Sequence, residues 1–114
     1  MRHIHTGAVR SYFKVLTSSR SAQVAMMTLR PGQSSSEEVE NEHRKSEQWL
    51  FVVTGSGRAV VGKSRVMLKA NSLLRIEKGE PHRVTNTGRK AMVTLNFYCP
   101  PAYDDQGEVK PSVQ

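Results

Sequence analysis

The chain has 114 residues, a length that fits one domain with a single compact core. Its composition, 37% hydrophobic and 24% charged, is ordinary for a globular protein, and no apolar run approaches the roughly 20 residues that a membrane-spanning helix needs. The formal net charge is +7, but the basic residues are scattered and do not alternate with aromatic residues, which argues against nucleic acid and membrane surfaces as partners.

Short apolar segments rich in Val, Leu, Phe and Tyr follow one another along the chain, separated by Gly, Ser, Asn or Pro. This rhythm predicts an all-β protein with no long helix. The predicted strands cover residues 11–17, 22–29, 47–54, 58–62, 65–69, 73–76, 81–86 and 91–98. Turn residues at 55–57, 62–64 and 86–88 predict hairpins between the strands that they connect.

Two segments outside the strands are also informative. The acidic stretch 32–44 is long for a loop inside a compact domain, and loops of this length are often functional. From residue 100 the chain is polar and contains prolines, which predicts a surface tail, so we expect one domain with a barrel core over about 8–99 and a tail over 100–114. The first ten residues lack the pattern of a signal peptide, which predicts a cytoplasmic protein, and the single cysteine, Cys99, cannot form an internal disulfide.

One segment in the first half of the chain resembles the first sequence motif of the cupin family. Counting back from Gly55, Gln48 stands where the family has its Glu, and His43 stands where the family has the second His of a His-x-His pair. Asn41 replaces the first His of that pair. The first motif is therefore present in a degenerate form.

The second cupin motif is matched more closely. Gly79, His82 and Asn86 follow the family's spacing, whereas Glu77 stands at a Pro position and Asn71 at a Gly position. The resemblance implies an antiparallel β-barrel of the double-stranded β-helix, or jelly-roll, type. It also implies a small-molecule ligand or substrate and a homodimer.

The strand predicted over 47–54 shows which side chains face the barrel interior. Alternate side chains of a strand face the same way, so Gln48 and every second residue after it point inward, and Trp49, Phe51 and Val53 point outward. An outward face as apolar as this one is typical of a strand covered on both sides. This is a second reason to expect a homodimer.

The cupin resemblance implies a divalent metal, with Fe, Zn, Ni, Mn and Cu all suited to imidazole ligands. The candidate ligands are the imidazoles of His43 and His82, the amide oxygen of Gln48 and, as a possible fourth, Asn41. Because no carboxylate is among them, the ion would keep its full charge, which favours an anionic ligand. If the protein is an enzyme, the resemblance implies a metal-dependent oxygenase, isomerase or lyase.

Two other functions remain open from the sequence. The barrel could bind a small ligand without metal and without catalysis, or it could serve only as a dimeric scaffold for interactions. Glu42 and Glu47 lie next to the candidate ligands but have the wrong strand parity to join them. His3 and His5 form a His-x-His pair, which we interpret as part of a frayed terminus.

Overall fold

The computed structural model describes residues 1–9 and 11–114, so that residue 10, inside the predicted barrel core, lies outside the described part. The described residues form eight strands and two 3-10 helices, at Thr6–Ala8 and Pro111–Val113. The strands are β1 (Phe13–Ser18), β2 (Gln23–Leu29), β3 (Glu47–Thr54), β4 (Gly57–Val61), β5 (Ser64–Leu68), β6 (Leu73–Ile76), β7 (His82–Asn86) and β8 (Met92–Cys99). All eight predicted strands are confirmed, and their ends differ from the prediction by two residues at most. No helix of the described residues is long and apolar enough to cross a membrane.

The strands form two antiparallel sheets. The large sheet has the order β1-β2-β8-β3-β6 and the small sheet the order β5-β4-β7. Every strand pair within them is antiparallel. The all-β, antiparallel, jelly-roll-like class predicted from the sequence is confirmed.

The core lies between the two sheets. Along β3 the predicted alternation is observed, because Gln48, Leu50 and Val52 are buried while the residues between them are partly exposed. Leu50 and Val52 pack with buried apolar side chains of both sheets, among them Leu29 and Val84. Because every second side chain of β3 points inward, Gln48 lies at one end of this core.

The hairpin predictions were right at one turn of three. The turn after β4, with Gly62 at a φ of 59°, joins β4 to its hydrogen-bonded neighbour β5. The turns at 55–57 and 86–88 instead carry the chain from one sheet to the other. Gly55, at a φ of 89°, allows the first crossing, because a Cβ there would lie 2.7 Å from Ala91 O. A hairpin and a crossing use the same turn residues, so the local sequence does not distinguish them.

The prediction of a surface tail over residues 100–114 is wrong. Ala102, Tyr103 and Val113 are buried, and they pack in a second apolar cluster with Ala25 of the large sheet. The buried amide of Gln23 holds this segment in place. Its Oε1 accepts from the backbone N–H groups of Ala102 (3.1 Å) and Tyr103 (3.0 Å), and its Nε2 donates to Tyr103 O (2.7 Å). The Gln23 amide thus satisfies backbone groups of this segment that its own bridge between Tyr103 and Val109 does not use.

Candidate functional site

A cavity of about 380 Å³ opens beside the polar end of the core. Its walls include three of the four residues predicted to bind a metal, His43, Gln48 and His82. The structure therefore brings two histidines that lie far apart in sequence to one cavity, with their ring centroids 5.2 Å apart. Residues of the large sheet, the small sheet and the C-terminal segment all line it.

The segment that carries His43, residues 30–46, runs along the edge of the small sheet. It exchanges backbone hydrogen bonds with β7, including the pair between Glu40 and His82 in which each N–H donates to the other residue's carbonyl (3.2 and 2.9 Å). This pairing places the end of the segment next to His82. The long acidic loop of the sequence is thus joined to β7 by isolated β-bridges at Ser34 and Glu40, and it delivers His43 to the cavity.

Asn41 fixes the turn before His43. Its side-chain Nδ2 donates to Glu80 O (3.0 Å), and its Oδ1 accepts from His43 N (2.9 Å). Both ends of the amide are used in these bonds, and Asn41 does not line the cavity. Through these two bonds Asn41 joins the His43 segment to the turn before β7.

The imidazole of His43 is buried, with only 2% of its surface exposed, and each of its nitrogens faces an oxygen. Nδ1 lies 3.3 Å from Ser46 O, and Nε2 lies 3.0 Å from Gln48 Oε1. The ring of Tyr98 packs edge-on against it at a centroid distance of 5.1 Å. The ring orientation is therefore set by polar contacts on two sides and by packing on a third.

The imidazole of His82 is bound through one nitrogen only. Nδ1 lies 3.0 Å from Glu80 O, and because a carbonyl can only accept, Nδ1 carries the proton and Nε2 keeps its lone pair. Burial lowers the pKa of His82, and the hydrogen bond to Glu80 O only partly opposes this, so the neutral ring is favoured. A neutral imidazole whose Nδ1–H is held by a carbonyl is the usual state of a histidine that binds a metal through Nε2.

Behind Gln48 runs a chain of buried polar side chains that the sequence analysis did not identify. Gln48 Nε2 donates to Asn96 Oδ1 (2.8 Å), Asn96 Nδ2 donates to Thr94 Oγ1 (2.9 Å), and Thr94 Oγ1 donates to Met27 O (3.2 Å). Thr94 and Asn96 occupy inward positions of β8, where the alternation of the strand would otherwise place apolar residues. Two polar residues at inward-facing positions of a predicted strand are the sequence signal that could have identified these buried side chains.

The tautomer of His43 decides whether its Nε2 can bind a metal ion. Ser46 O can only accept, so His43 Nδ1 donates to it in the tautomer that carries the proton on Nδ1. In that tautomer the lone pair of His43 Nε2 faces Gln48 Oε1 across 3.0 Å, and a cation in contact with both atoms fits between them. In the other tautomer Nε2 donates a hydrogen bond to Gln48 Oε1.

The distances agree with a shared ion. Two ligand atoms at right angles on an ion, each at about 2.1 Å, lie about 3.0 Å apart. Two imidazoles on one ion place their ring centroids about 4.5–5.3 Å apart, and those of His43 and His82 are separated by 5.2 Å. Within residues 1–9 and 11–114, no three His, Cys, Asp or Glu side chains form a metal-binding group, so an ion here needs the Gln48 amide as its third ligand.

The part of the cavity wall next to His43 is aromatic. Tyr103 lies edge-on to Tyr98 and to Phe13, at centroid distances of 5.0 and 4.8 Å, and its hydroxyl donates to Glu42 Oε1 (2.8 Å). Burial raises the pKa of both Tyr98 and Tyr103, so both are neutral donors. The sequence analysis missed the part of Tyr103 in the cavity, because residues 100–114 were predicted to form a surface tail.

The charges in the cavity wall are uneven. Glu40 and Glu42 line it, whereas none of the lining residues in the described part of the chain is Lys or Arg. Glu42 is held by Tyr103 and does not contact the histidines through a hydrogen bond. The interior therefore offers an anion no cationic side chain other than a protonated histidine.

Two antiparallel sheets folded over a polar cavity with two converging histidines define a barrel of the cupin type. The family model for the cupin domain matches residues 25–98, well over half of the chain. The protein belongs to the cupin family.

Solved structures share this fold. A protein from Bacillus halodurans is 24% identical, with 91% of this chain and 80% of that chain covered and a TM-score of 0.79. A protein from Thermus thermophilus is 20% identical, with 88% and 98% covered and a TM-score of 0.77. A predicted oxalate decarboxylase from Thermotoga maritima is 22% identical, with 78% and 79% covered and a TM-score of 0.69. At these identities the likeness concerns the fold alone, and no curated protein matches the sequence.

Proposed function

We propose that this cupin holds a divalent first-row transition-metal ion on His43 Nε2, Gln48 Oε1 and His82 Nε2, and that it binds a small anionic molecule in the cavity beside the ion. The observation that carries the proposal is the convergence of the three side chains on one cavity, with His43 Nε2 3.0 Å from Gln48 Oε1 and the two imidazole centroids 5.2 Å apart. In the tautomer of His43 with its proton on Nδ1, two acceptors are buried against each other, and a cation between them removes the free-energy cost of that contact.

The ligand set determines what such a site can do. Three protein ligands leave further coordination positions to water or to a bound molecule, which is the pattern of catalytic rather than structural sites. When bound, the ion would supply Lewis-acid charge, and none of its three ligands carries a negative charge that would offset it. Since an amide is a weak donor, the affinity for the ion falls below that of a site with three histidines and a carboxylate.

The proposed anionic ligand depends on the ion, because the cavity wall itself is acidic. With Glu40 and Glu42 among its lining residues and no Lys or Arg there, the described cavity attracts an anion only when a cation is present. Its volume of about 380 Å³ lies at the lower end of the range for small-molecule sites. A molecule of a few carbon atoms with a carboxylate is the class that suits both the size and the charge.

Metal titration tests the proposal. Isothermal titration of tag-free protein with Co²⁺ is expected to give one interior site per chain, and His82→Ala is expected to weaken it at least about tenfold. His5→Ala is the matched control, because His5 is exposed and does not line the cavity. Oxalate is expected to bind the Co²⁺-loaded protein only. Wild-type protein without a Co²⁺ site, or a site lost in His5→Ala and kept in His82→Ala, would contradict the proposal.

A second candidate function is the binding of a small ligand without metal. The observation that favours it is the same 3.0 Å contact, because a proton on His43 Nε2 also satisfies Gln48 Oε1. In that case the oxalate titration would give the same affinity with and without Co²⁺. The two functions are thus separated by one comparison.

We also propose that a second copy of the chain covers the outer face of the large sheet. The register places Trp49 beside Phe97 and Phe51 beside Leu95, and Leu73 adjoins Phe51 on the next strand. Leu73 is 62% exposed and Phe97 37% exposed in the single chain. This apolar cluster is bordered by Arg75, which pairs with Trp49 and lies 5.4 Å from its ring centroid. An exposed apolar cluster of this kind on a small domain marks an interaction surface.

A further inference from the structure

We infer that Thr94 and Asn96 are positioning residues, which fix the side-chain amide of Gln48 with its oxygen toward His43 and thereby make that oxygen available to a cation. This inference rests on the proposed metal site and deepens it. The residues lie behind the cavity wall and do not line it, so any effect they have on an ion passes through Gln48.

The orientation of the Gln48 amide is determined by the last hydrogen bond of the series, from Thr94 to Met27 O. Met27 O can only accept, so the Thr94 hydroxyl donates to it and its oxygen is left to accept. Asn96 must then present its NH₂ group to Thr94 and its oxygen to Gln48. Gln48 in turn presents its NH₂ group to Asn96 and its oxygen to His43.

Among the described residues, those opposite Thr94 and Asn96 in the sheet offer no other polar side chain as a partner. In the sheet register Thr94 lies opposite Met27 and Val52, and Asn96 lies opposite Ala25 and Leu50. Thr94 and Asn96 are fully buried, as are Leu50 and Val52. A reversed Asn96 would therefore direct its NH₂ group at Gln48 and would force Gln48 to reverse as well, with its own NH₂ group toward His43.

This arrangement predicts a specific mutational pattern. Thr94→Val removes the hydroxyl that accepts from Asn96 and keeps the shape of the side chain, so it frees both amides to reverse. Because an NH₂ group repels a cation, the Co²⁺ dissociation constant is expected to rise about tenfold. Thr94→Ser keeps the hydroxyl and is expected to leave the constant within about twofold of the wild-type value.

The experiment combines Co²⁺ titration of wild type, Thr94→Val and Thr94→Ser with NMR of the metal-free wild-type protein. In the nuclear Overhauser spectrum the side-chain NH₂ protons of Gln48 are expected to contact Asn96 and not the ring protons of His43. Contacts to the His43 ring, or equal Co²⁺ affinity of Thr94→Val and wild type, would overturn the inference.

The NMR result keeps the inference separate from the proposed function. If wild-type protein binds no Co²⁺, the proposed metal site fails, and the orientation of the Gln48 amide in the metal-free protein still decides whether Thr94 and Asn96 fix it. If Thr94→Val does not fold, the same spectrum of the wild type gives the answer.

Discussion

At the scale of single residues, Gln48 is matched to its neighbours in a way that a carboxylate is not. Its NH₂ group donates to Asn96 Oδ1 at 2.8 Å, whereas a glutamate at this position has no hydrogen to donate. The Glu that the family motif places here would therefore face the oxygen of Asn96. The amide and the buried chain behind it form one unit, and together they give the site a neutral ligand set.

Gln48→Glu is expected to change the site in two opposite ways. The added negative charge binds a cation more strongly, so Co²⁺ affinity is expected to rise about tenfold even though Asn96 must reorient. The same charge offsets that of the ion, and oxalate affinity of the Co²⁺-loaded protein is expected to fall about tenfold. Isothermal titration measures both.

Gln48→Leu is the matched control for this substitution, since it removes the ligand oxygen without adding charge. It is expected to lose the Co²⁺ site. If the Glu variant bound Co²⁺ no more tightly than the Leu variant, the placement of Gln48 beside the ion would be wrong.

At the scale of elements, the C-terminal segment completes the cavity and depends on one side chain of β2. Gln23 is buried and makes two hydrogen bonds to backbone N–H groups and one to a carbonyl of this segment. Through Tyr103 the segment then reaches Glu42, on the segment that carries His43. The two loops that border the cavity are thus joined to each other.

Gln23→Leu is expected to lower the free energy of unfolding by about 2–4 kcal/mol. The leucine leaves the buried N–H groups of Ala102 and Tyr103 without an acceptor, and each such group costs about 1–3 kcal/mol. Urea denaturation followed by tryptophan fluorescence measures the change. Gln106→Leu, at an exposed position of the same segment, is the control and is expected to change stability by less than about 0.5 kcal/mol.

The elements also show which parts of the molecule the sequence could predict. The eight strands follow from local alternation and turn residues, and the inward parity of β3 placed Gln48 correctly. The crossings at Gly55 and Gly88 and the docking of Val113 depend on contacts between distant segments, which local patterns do not contain. Among the site residues, the motif spacing identified His43 and His82, whereas Tyr103 lay in a segment that was expected to be exposed.

At the scale of the whole molecule, the outer faces of the two sheets differ in character. The large sheet presents the apolar rows around Trp49 and Phe97, whereas the small sheet presents Arg58, Arg65 and Arg83 on one face around Val60. An apolar face favours burial against a second copy, and a cationic face disfavours it through repulsion between like charges. That the chain forms one domain and a homodimer stays a prediction, with the large sheet as the expected interface.

Leu73→Glu together with Phe97→Lys is expected to convert the protein to a monomer, because each substitution places a charge in the apolar interface. Light scattering after size-exclusion chromatography measures the mass directly. Met67→Glu is the matched control, since Met67 is 68% exposed but lies on the small sheet. A wild-type protein that elutes as a monomer, or a dimer that survives the double substitution and is lost in Met67→Glu, would refute this interface.

The most direct test of the account is an anomalous difference map from crystals of the tag-free protein grown with Co²⁺. The account predicts one strong peak in the cavity, at about 2.0–2.2 Å from His43 Nε2, His82 Nε2 and Gln48 Oε1. A map whose only peaks lie at surface histidines such as His3 and His5, with none between the two cavity histidines, would contradict it.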